Sequence, residues 1–160
     1  FEIADAVQQG GATEITIHGR TKADGYRADR INWKKIGEVR SRLTIPVIAN
    51  GEIWRWEDGQ ACLKATGCED LMVGRGALNI PNLSLVLKQN CEKMPWADIQ
   101  KILQKYAEME NFHDSGFYHV ARIKQWLRYL NKEYPEADIV FERIKTSKTA
   151  EDLRERLCQG

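Results

Sequence analysis

The sequence predicts a parallel α/β segment followed by an all-helical segment, so the expected fold class is α/β plus all-α. Short apolar strand signals alternate with amphipathic helix signals as far as residue 78. The strands recur at intervals of roughly 25 to 30 residues, the length of one strand and helix unit with a right-handed crossover. After Pro81 only helix signals continue. This order is typical of part of a barrel or doubly wound sheet with a helical domain attached.

The chain opens inside a helix signal. Phe1 to Gln9 carries apolar residues at helical spacing, and Gly10-Gly11 supplies the stop that helix C-termini favour. The chain begins without Met, and this helix implies a strand before it, so we expect a fragment of a longer protein. A complete TIM barrel needs about 250 residues, and only about three of its eight units fit before residue 78.

Three strand signals and two helix signals follow in alternation. The strands are short and β-branched or uniformly apolar: Glu14 to His18, Ile45 to Ala49 and Leu71 to Val73. The helices have apolar residues three and four positions apart: Trp33 to Leu43 and Trp56 to Thr66. Asn32 is a suitable N-cap for the first helix, and Gly67 ends the second.

Helix signals fill the rest of the chain. They cover residues 81–89, 96–111, 116–133, 136–145 and 149–158. Pro95 and Pro135 stand at or just before helix starts, where a missing N–H is harmless, and Thr149 with Asp152 resembles a capping box. We place a domain boundary near Asn90 to Met94, with residues 1–90 before it and residues 91–160 after it.

The composition is that of an ordinary folded protein. Of 160 residues, 42% are hydrophobic and 29% are charged, and the net charge is +1, which excludes a disordered or fibrous chain. No apolar run reaches the roughly 18 residues of a membrane span, and no signal sequence is evident, so we expect a cytoplasmic setting without a membrane partner. The cysteines show no CxxC pattern and predict reduced thiols rather than a metal site: Cys62, Cys68, Cys91 and Cys158.

Two glycine-containing loops follow the second and third predicted strands, A-N-G-E-I from Ala49 to Ile53 and V-G-R-G-A-L from Val73 to Leu78. In a TIM barrel, the loops after the last two strands commonly build a phosphate site. Arg75 adds a charge-assisted contact for such a group. Each loop alone is as typical of a tight turn, but the two together predict a phosphate site. Its backbone amides come from glycines without a Cβ in the way: Gly51, Gly74 and Gly76.

The first strand ends in a further polar pair. His18 and Arg20 stand at the same rim as the two glycine loops. A His at a strand end is as often simply solvated, but beside a phosphate site a ligand contact is the better interpretation. His18 is then a donor to a flavin ring oxygen, and Arg20 pairs with a nucleotide phosphate or a uracil carbonyl. Trp54 and Trp56 lie next to the phosphate loop without an assigned task.

These motifs in this order resemble bacterial tRNA-dihydrouridine synthases, in particular the C-terminal portion of the C type, which is associated with position 16 of tRNA. The resemblance covers essentially the whole chain. Related flavin barrels share the N-G and G-R loops but not this order with a helical tail. The residues that carry the resemblance are I-H-G-R-T-K, the loop to Tyr26, N-W-K-K-I, I-P-V-I-A-N-G-E-I, A-T-G-C-E-D-L-M-V-G-R-G-A-L and P-N-L.

The resemblance implies the last three β/α units of a TIM barrel in residues 1–90 and a C-terminal helical bundle that binds tRNA in residues 91–160. It implies flavin-dependent reduction of specific tRNA uridines to 5,6-dihydrouridine, with NADPH as reductant. FMN would be bound by His18, Asn50, Gly51, Glu52, Gly74 and Arg75. In such enzymes an upstream Cys is the general acid, and no cysteine here occupies that motif. We therefore assign no catalytic residue to this chain and expect it to be inactive alone.

The predicted helix at 116–133 carries a basic ridge. Its core stripe consists of apolar residues: Val120, Ile123, Leu127 and Leu130. On another face lie the cations that the resemblance assigns to tRNA: Arg122, Lys124, Arg128 and Lys132, with Tyr118 and Tyr129 beside them for stacking. The residues alone favour a solvated helix face, because residues 91–160 hold 12 Lys+Arg and 12 Asp+Glu.

Two other functions stay open at this point. One is a different FMN- or phosphate-binding TIM-barrel oxidoreductase that acts on a small molecule, for which the basic ridge would be incidental. The other is a non-catalytic RNA-binding module, which would bind RNA without flavin. We expect the complete protein to be a monomer without a metal. An isolated segment would expose a sheet edge and could self-associate.

Overall fold

A computed structural model describes residues 1–25, 27–109 and 117–158, except for the side chain of Phe117. These residues form two compact units. The first comprises Phe1–Ala77 and Asn82–Glu92, and the second comprises Leu78–Pro81 and Lys93–Gly160. The boundary that the sequence places between residues 90 and 91, with the roles assigned to its two sides, stays a prediction.

The first unit alternates helices and strands in the predicted order. Its helices are α1 (Glu2–Gln9), α2 (Trp33–Arg40), α3 (Trp56–Thr66) and α5 (Leu83–Gln89). Its strands are β1 (Ile15–His18), β2 (Val47–Asn50) and β3 (Asp70–Met72). The strands form one parallel sheet in the order β1-β2-β3. The sequence prediction of a parallel strand and helix alternation is therefore confirmed.

A short helix, α4 (Gly76–Asn79), was missed by the sequence analysis, and the predicted helix at 81–89 begins at Leu83 instead. Four residues make little more than one turn, so α4 shows no apolar periodicity that a sequence pattern could detect.

The local sequence explains the ends of these elements. The Oδ1 atom of Asn32 accepts a hydrogen bond of 3.0 Å from the backbone N–H of Lys35, so Asn32 is the N-cap of α2. Gly67 ends α3 in the left-handed conformation, with φ of 66°. Both caps are those that the sequence predicts.

Side chains along β1 alternate between the two faces of the sheet, one of which packs against the core. Ile15 and Ile17 pack against the core that also contains the fully buried Ala49 and Cys62. The intervening residues of β1 point to the opposite face. In the strand register, His18 lies beside Asn50, and Asn50 lies beside Met72. The three strand ends, distant in sequence, thus meet side by side.

The second unit contains four long helices: α6 (Trp96–Glu108), α7 (Phe117–Leu130), α8 (Glu136–Ile144) and α9 (Ala150–Cys158). The apolar stripe predicted for α7 is confirmed, since Val120, Ile123, Leu127 and Leu130 are at most 2% exposed. They join one core with residues of all four helices, including Leu103, Ile144 and Leu153. Most of each apolar stripe is thereby removed from water, which is the main stabilising term for helices of this length.

Two predicted helix limits differ from the structure. Helix α6 ends at Glu108 because Met109 has an extended backbone, and the predicted continuation beyond 109 lies outside the described residues. Helix α7 ends at Leu130, where a turn replaces the predicted last residues. Within the described ranges, no helix combines the length and the hydropathy needed to cross a membrane.

Candidate functional site

The carboxyl ends of the three strands enclose a cavity of about 150 Å³. Its lining comes from the loops after β1, β2 and β3, which the parallel sheet brings to one edge. The residues that line it are His18, Arg20, Asn50, Gly51, Glu52, Ile53, Trp54, Met72, Gly74, Arg75 and Gly76. All the residues predicted for the phosphate and flavin site, together with Arg20, therefore share one cavity.

A chain of hydrogen bonds crosses the three strand ends. The Nδ2 atom of Asn50 donates to the carbonyl of Met72 at 2.7 Å, which leaves Oδ1 to face the Nδ1 atom of His18 at 2.6 Å. The Nε atom of Arg20 donates to the Nε2 atom of His18 at 3.4 Å. Because Arg Nε is only a donor, His18 carries its proton on Nδ1 and accepts on Nε2. Both ring nitrogens are thus engaged within the protein.

Glu52 is the negative centre of the cavity. Its Oε1 atom lies 2.8 Å from Nη2 of Arg20 and 3.3 Å from Nη2 of Arg75. Its Oε2 atom accepts a hydrogen bond of 2.8 Å from the indole Nε1 of Trp54. The side chain is only 9% exposed. One buried carboxylate therefore joins two guanidinium groups and an indole.

The two arginines differ in their exposure. The side chain of Arg20 is 3% exposed, whereas that of Arg75 is 40% exposed. Within the described residues, the Nη1 atom of Arg20 is buried without a hydrogen-bond partner. Arg20 therefore lies in the wall of the cavity rather than on the protein surface, and its predicted contact with substrate stays a prediction.

The glycines of the loops differ in how much space a side chain would have at each position. Gly51 has φ of 126°, and a Cβ there would lie 2.4 Å from Cδ1 of Ile31. A Cβ on Gly76 would lie 2.3 Å from the carbonyl oxygen of Ile53. A Cβ on Gly74 would meet nothing within 4 Å. Gly51 and Gly76 thus permit close backbone packing, while Gly74 leaves bare backbone toward open space.

Several lining residues had no role in the sequence analysis. Ile53 and Met72 were not singled out, and Trp54 was noted without a task. The register of the sheet would have identified Met72, because it pairs with Asn50 at the same strand edge. Register depends on three-dimensional pairing, and a single sequence does not display it.

None of the four cysteines is among the described residues that line this cavity. Cys62 is fully buried in the core of the first unit, and burial raises the pKa of its thiol to about 11. A thiol with that pKa stays protonated near neutral pH and is a poor nucleophile. Of the other cysteines, Cys68 is buried and Cys158 is exposed.

A second candidate surface lies on α7. A shallow hollow of about 540 Å³ is lined by Tyr118, Ala121, Arg122, Lys124, Gln125 and Arg128. Three of the four cations that the sequence analysis assigned to RNA on this helix therefore lie together. The guanidinium of Arg122 lies 4.7 Å from the ring centre of Tyr118, and that of Arg128 lies 5.2 Å from the ring centre of Phe141. Arg–aromatic pairs of this kind offer both charge and a flat surface.

Lys124 makes hydrogen bonds within the second unit. Its Nζ atom donates to the carbonyl of Lys145 at 2.8 Å and to that of Ser147 at 2.6 Å, just past the end of α8. Partial desolvation lowers the pKa of its ammonium group below the usual value. Lys132, the fourth predicted cation, lies beyond the end of α7, with its Nζ atom 5.5 Å from the ring centre of Tyr129.

The comparison with protein families decides between the fold alternatives. The family model described as dihydrouridine synthase matches residues 1–158. The chain belongs to the dihydrouridine synthase family. This family membership supports a barrel rather than a doubly wound sheet for the parallel strands, and the three-stranded sheet with its helices fits part of a TIM barrel.

Three curated relatives carry the same name. A tRNA-dihydrouridine(16) synthase of Haemophilus influenzae is 82% identical over 157 residues, which are 98% of this chain and 51% of the relative. The enzyme of the same name from Pasteurella multocida is 70% identical and that from Escherichia coli K12 is 58% identical, with 98% and 96% of this chain covered and 50% and 49% of the relatives. The chain spans about half the length of the curated relatives it matches.

Proposed function

We propose that this chain belongs to a flavin-dependent tRNA-dihydrouridine synthase that acts on position 16 of tRNA. It supplies the binding site for the phosphate end of FMN and the helices that contact tRNA. The observation that carries the proposal is the shared cavity at the ends of the three parallel strands. It is supported by relatives that are named tRNA-dihydrouridine(16) synthase. Under this proposal residues 1–90 are the last three β/α units of a TIM barrel, and residues 91–160 form a helical bundle domain.

The residues present fit the phosphate end of FMN. Arg75 brings a partly exposed guanidinium to the cavity, and Gly74 presents backbone without a side chain. A guanidinium and bare backbone amides are the groups that bind phosphate oxygens most directly. The cavity is smaller than the roughly 300 to 1,000 Å³ of sites that hold whole cofactors. It therefore suits one end of the flavin rather than all of it.

We assign the cofactor to six residues: His18, Asn50, Gly51, Glu52, Gly74 and Arg75. When bound, reduced FMN would supply the hydride for reduction of a uracil ring, with NADPH as the reductant of the flavin. The chain's own part is to bind and orient. Hydrogen bonds link Arg20 to His18, His18 to Asn50, and Asn50 to the carbonyl of Met72, and so hold the three strand ends in fixed relation to one another. We assign Arg20 to the substrate. Its Nη1 atom has no hydrogen-bond partner among the described residues and can therefore donate to a substrate oxygen.

The tRNA contact is assigned to α7. Arg122 and Arg128 line an open hollow with Tyr118, which is 50% exposed. Guanidinium groups next to an exposed aromatic ring suit phosphate contacts and base stacking. Lys124 and Lys132 complete the proposed set. We place the enzyme in the cytoplasm, where tRNA is available, with the complete protein as a monomer.

The test of the cofactor assignment is Arg75→Ala, in this chain and in any longer protein that contains it. We expect FMN binding to weaken by roughly 1.5 to 3 kcal/mol, the usual scale for a hydrogen bond to a charged group. Fluorescence titration of FMN measures it. An unchanged dissociation constant would remove Arg75 from the site.

The same titrations separate the alternative functions. FMN binding without tRNA affinity would favour a small-molecule oxidoreductase. RNA binding with no flavin signal would favour a non-catalytic RNA-binding module.

A further inference from the structure

The contacts around Arg75 point to an additional pair of positioning residues in the cavity. Arg75 is the more exposed of the two arginines there, and a free guanidinium on a loop has many rotamers. Two neighbouring groups restrict it. Glu52 meets its Nη2 atom at 3.3 Å, and the ring centre of Trp54 lies 5.2 Å from its guanidinium carbon. Arg75 is thus held by a carboxylate and faces an indole.

Glu52 and Trp54 also fix each other. The indole Nε1 of Trp54 donates to Oε2 of Glu52 at 2.8 Å, while Arg20 bonds to the other carboxylate oxygen. Each carboxylate oxygen therefore has a partner within the protein. An ionised carboxylate is only an acceptor and repels a phosphate, so Glu52 is unsuited to touch an anionic ligand itself.

The two arginines consequently have different tasks. The contact of Glu52 with Arg20 is shorter, at 2.8 Å, and almost completely buried. Its contact with Arg75 is longer, at 3.3 Å, and partly exposed. A buried ion pair is costly to break, because one charge is left uncompensated, whereas a partly exposed contact exchanges more easily. Arg20 is the buried partner of Glu52, and Arg75 is the more exposed cation, whose guanidinium reaches the cavity.

We propose that Glu52 and Trp54 are positioning residues that hold Arg75 at the cavity, so that Arg75 makes the cationic contact with an anionic ligand. The proposal gives Trp54 a role and changes that of Glu52 from ligand contact to support. It rests on the proposed function in taking the ligand to be the phosphate of FMN.

The experiment compares FMN with riboflavin, which lacks the phosphate. The ratio of the two dissociation constants isolates the contribution of the anionic end. In Arg75→Ala this preference for FMN should fall by roughly tenfold or more. In Glu52→Gln and in Trp54→Phe it should fall by about three- to tenfold, because the first removes the negative charge that pairs with Arg75 and the second removes the indole N–H that holds Glu52. Trp56→Phe is the matched control and should keep the parent ratio, because Trp56 does not line the cavity.

A second readout needs no ligand. The Nε–H group of Arg75, observed by ¹⁵N relaxation in the free protein, should be ordered in the parent and in Trp56→Phe, and mobile in Glu52→Gln and Trp54→Phe. A merely structural role for Glu52 and Trp54 would lower stability without changing the mobility of Arg75 or the preference for FMN.

The outcomes distinguish the positioning role of Glu52 and Trp54 from the proposed FMN site itself. If Arg75→Ala loses the FMN preference while Glu52→Gln and Trp54→Phe keep it and leave Arg75 ordered, the positioning role is wrong and the cofactor site stands. A higher FMN preference in Glu52→Gln would also overturn the role, because Glu52 would then be a competitor of the phosphate. If the parent shows no preference for FMN, the proposed function fails as well.

Discussion

The cavity of the first unit and the hollow on α7 both collect cations, but they hold them differently. In the cavity, Arg20 and Arg75 share the buried carboxylate of Glu52, and three loops distant in sequence contribute. On α7, Arg122 and Arg128 come from one helix, and Arg122 faces the ring of Tyr118 while Arg128 faces the ring of Phe141 on α8. Under the proposed function, the cavity binds one anionic group in a fixed arrangement, and the hollow is an open surface for a longer polyanion.

This difference determines which substitutions are informative. In the cavity, the effect of a substitution should depend on its position. A change where the backbone is tightly packed should lower stability, and a change that faces open space should lower ligand affinity. On the surface of α7, changes at Arg122 and Arg128 should leave the fold intact and should weaken RNA binding and its dependence on salt.

The largest effect is expected from Gly76→Ala. The added Cβ would lie 2.3 Å from the carbonyl oxygen of Ile53, so the backbone must shift. Overpacking of this kind typically costs about 1 to 3 kcal/mol. Chemical denaturation measures the free energy of unfolding.

Gly74→Ala is the matched control, because its Cβ would meet nothing within 4 Å. It should retain the parent stability and weaken FMN binding alone. Equal stability losses in the two variants would mean that the cavity backbone is not packed as described.

The next effect concerns the salt dependence of tRNA binding. In Arg122→Ala with Arg128→Ala, we expect weaker binding and a slope of affinity against salt that is lower by about one to two phosphate equivalents. Filter binding at several salt concentrations provides the slopes. Identical slopes for variant and parent would make α7 a solvated face.

Lys124→Ala sharpens this comparison. Lys124 bonds to the carbonyls of Lys145 and Ser147, so its loss should also lower stability. If Lys124 contacts phosphate as proposed, Lys124→Ala with Arg128→Ala should lower tRNA affinity and the slope of affinity against salt more than Arg128→Ala does alone. Equal slopes for the two variants would limit Lys124 to its structural contact.

The smallest effect is expected at acidic pH from Asp152. The hydrogen bond from Arg156 is the main cause that lowers the pKa of Asp152 below its ordinary 3.8. The folded state thus has the lower pKa, and the stabilisation is complete above 3.8 and is lost as pH falls through the folded value. Asp152→Asn should be less stable than the parent at neutral pH, and the gap should narrow below pH 3.8. A constant gap across that range of pH would contradict this linkage.

The sequence predicted the parts of the fold that local patterns encode. The alternation of strands and helices, the Asn32 cap and the apolar stripe of α7 follow from residue spacing and turn chemistry, and the structure confirms them. The short helix at Gly76–Asn79 was missed because four residues carry no periodicity.

The candidate site was predicted only in outline. Glycine loops after successive strands indicated a common rim, because parallel strands end at one edge. The burial of Arg20, its pairing with Glu52 and the internal task of Lys124 depend on contacts across more than 20 residues of sequence. No local pattern encodes such pairings, so residue type alone suggested ligand contacts for side chains that already have partners in the fold.

We propose that loops from three parallel strands form one site for the phosphate of FMN. Mapping amide chemical shifts during an FMN titration tests it most directly. We predict that the amides of Gly51, Gly74 and Gly76 shift together with one dissociation constant, and that riboflavin shifts them far less. Shifts confined to α7, or different dissociation constants for the glycines of the two loops, would contradict it.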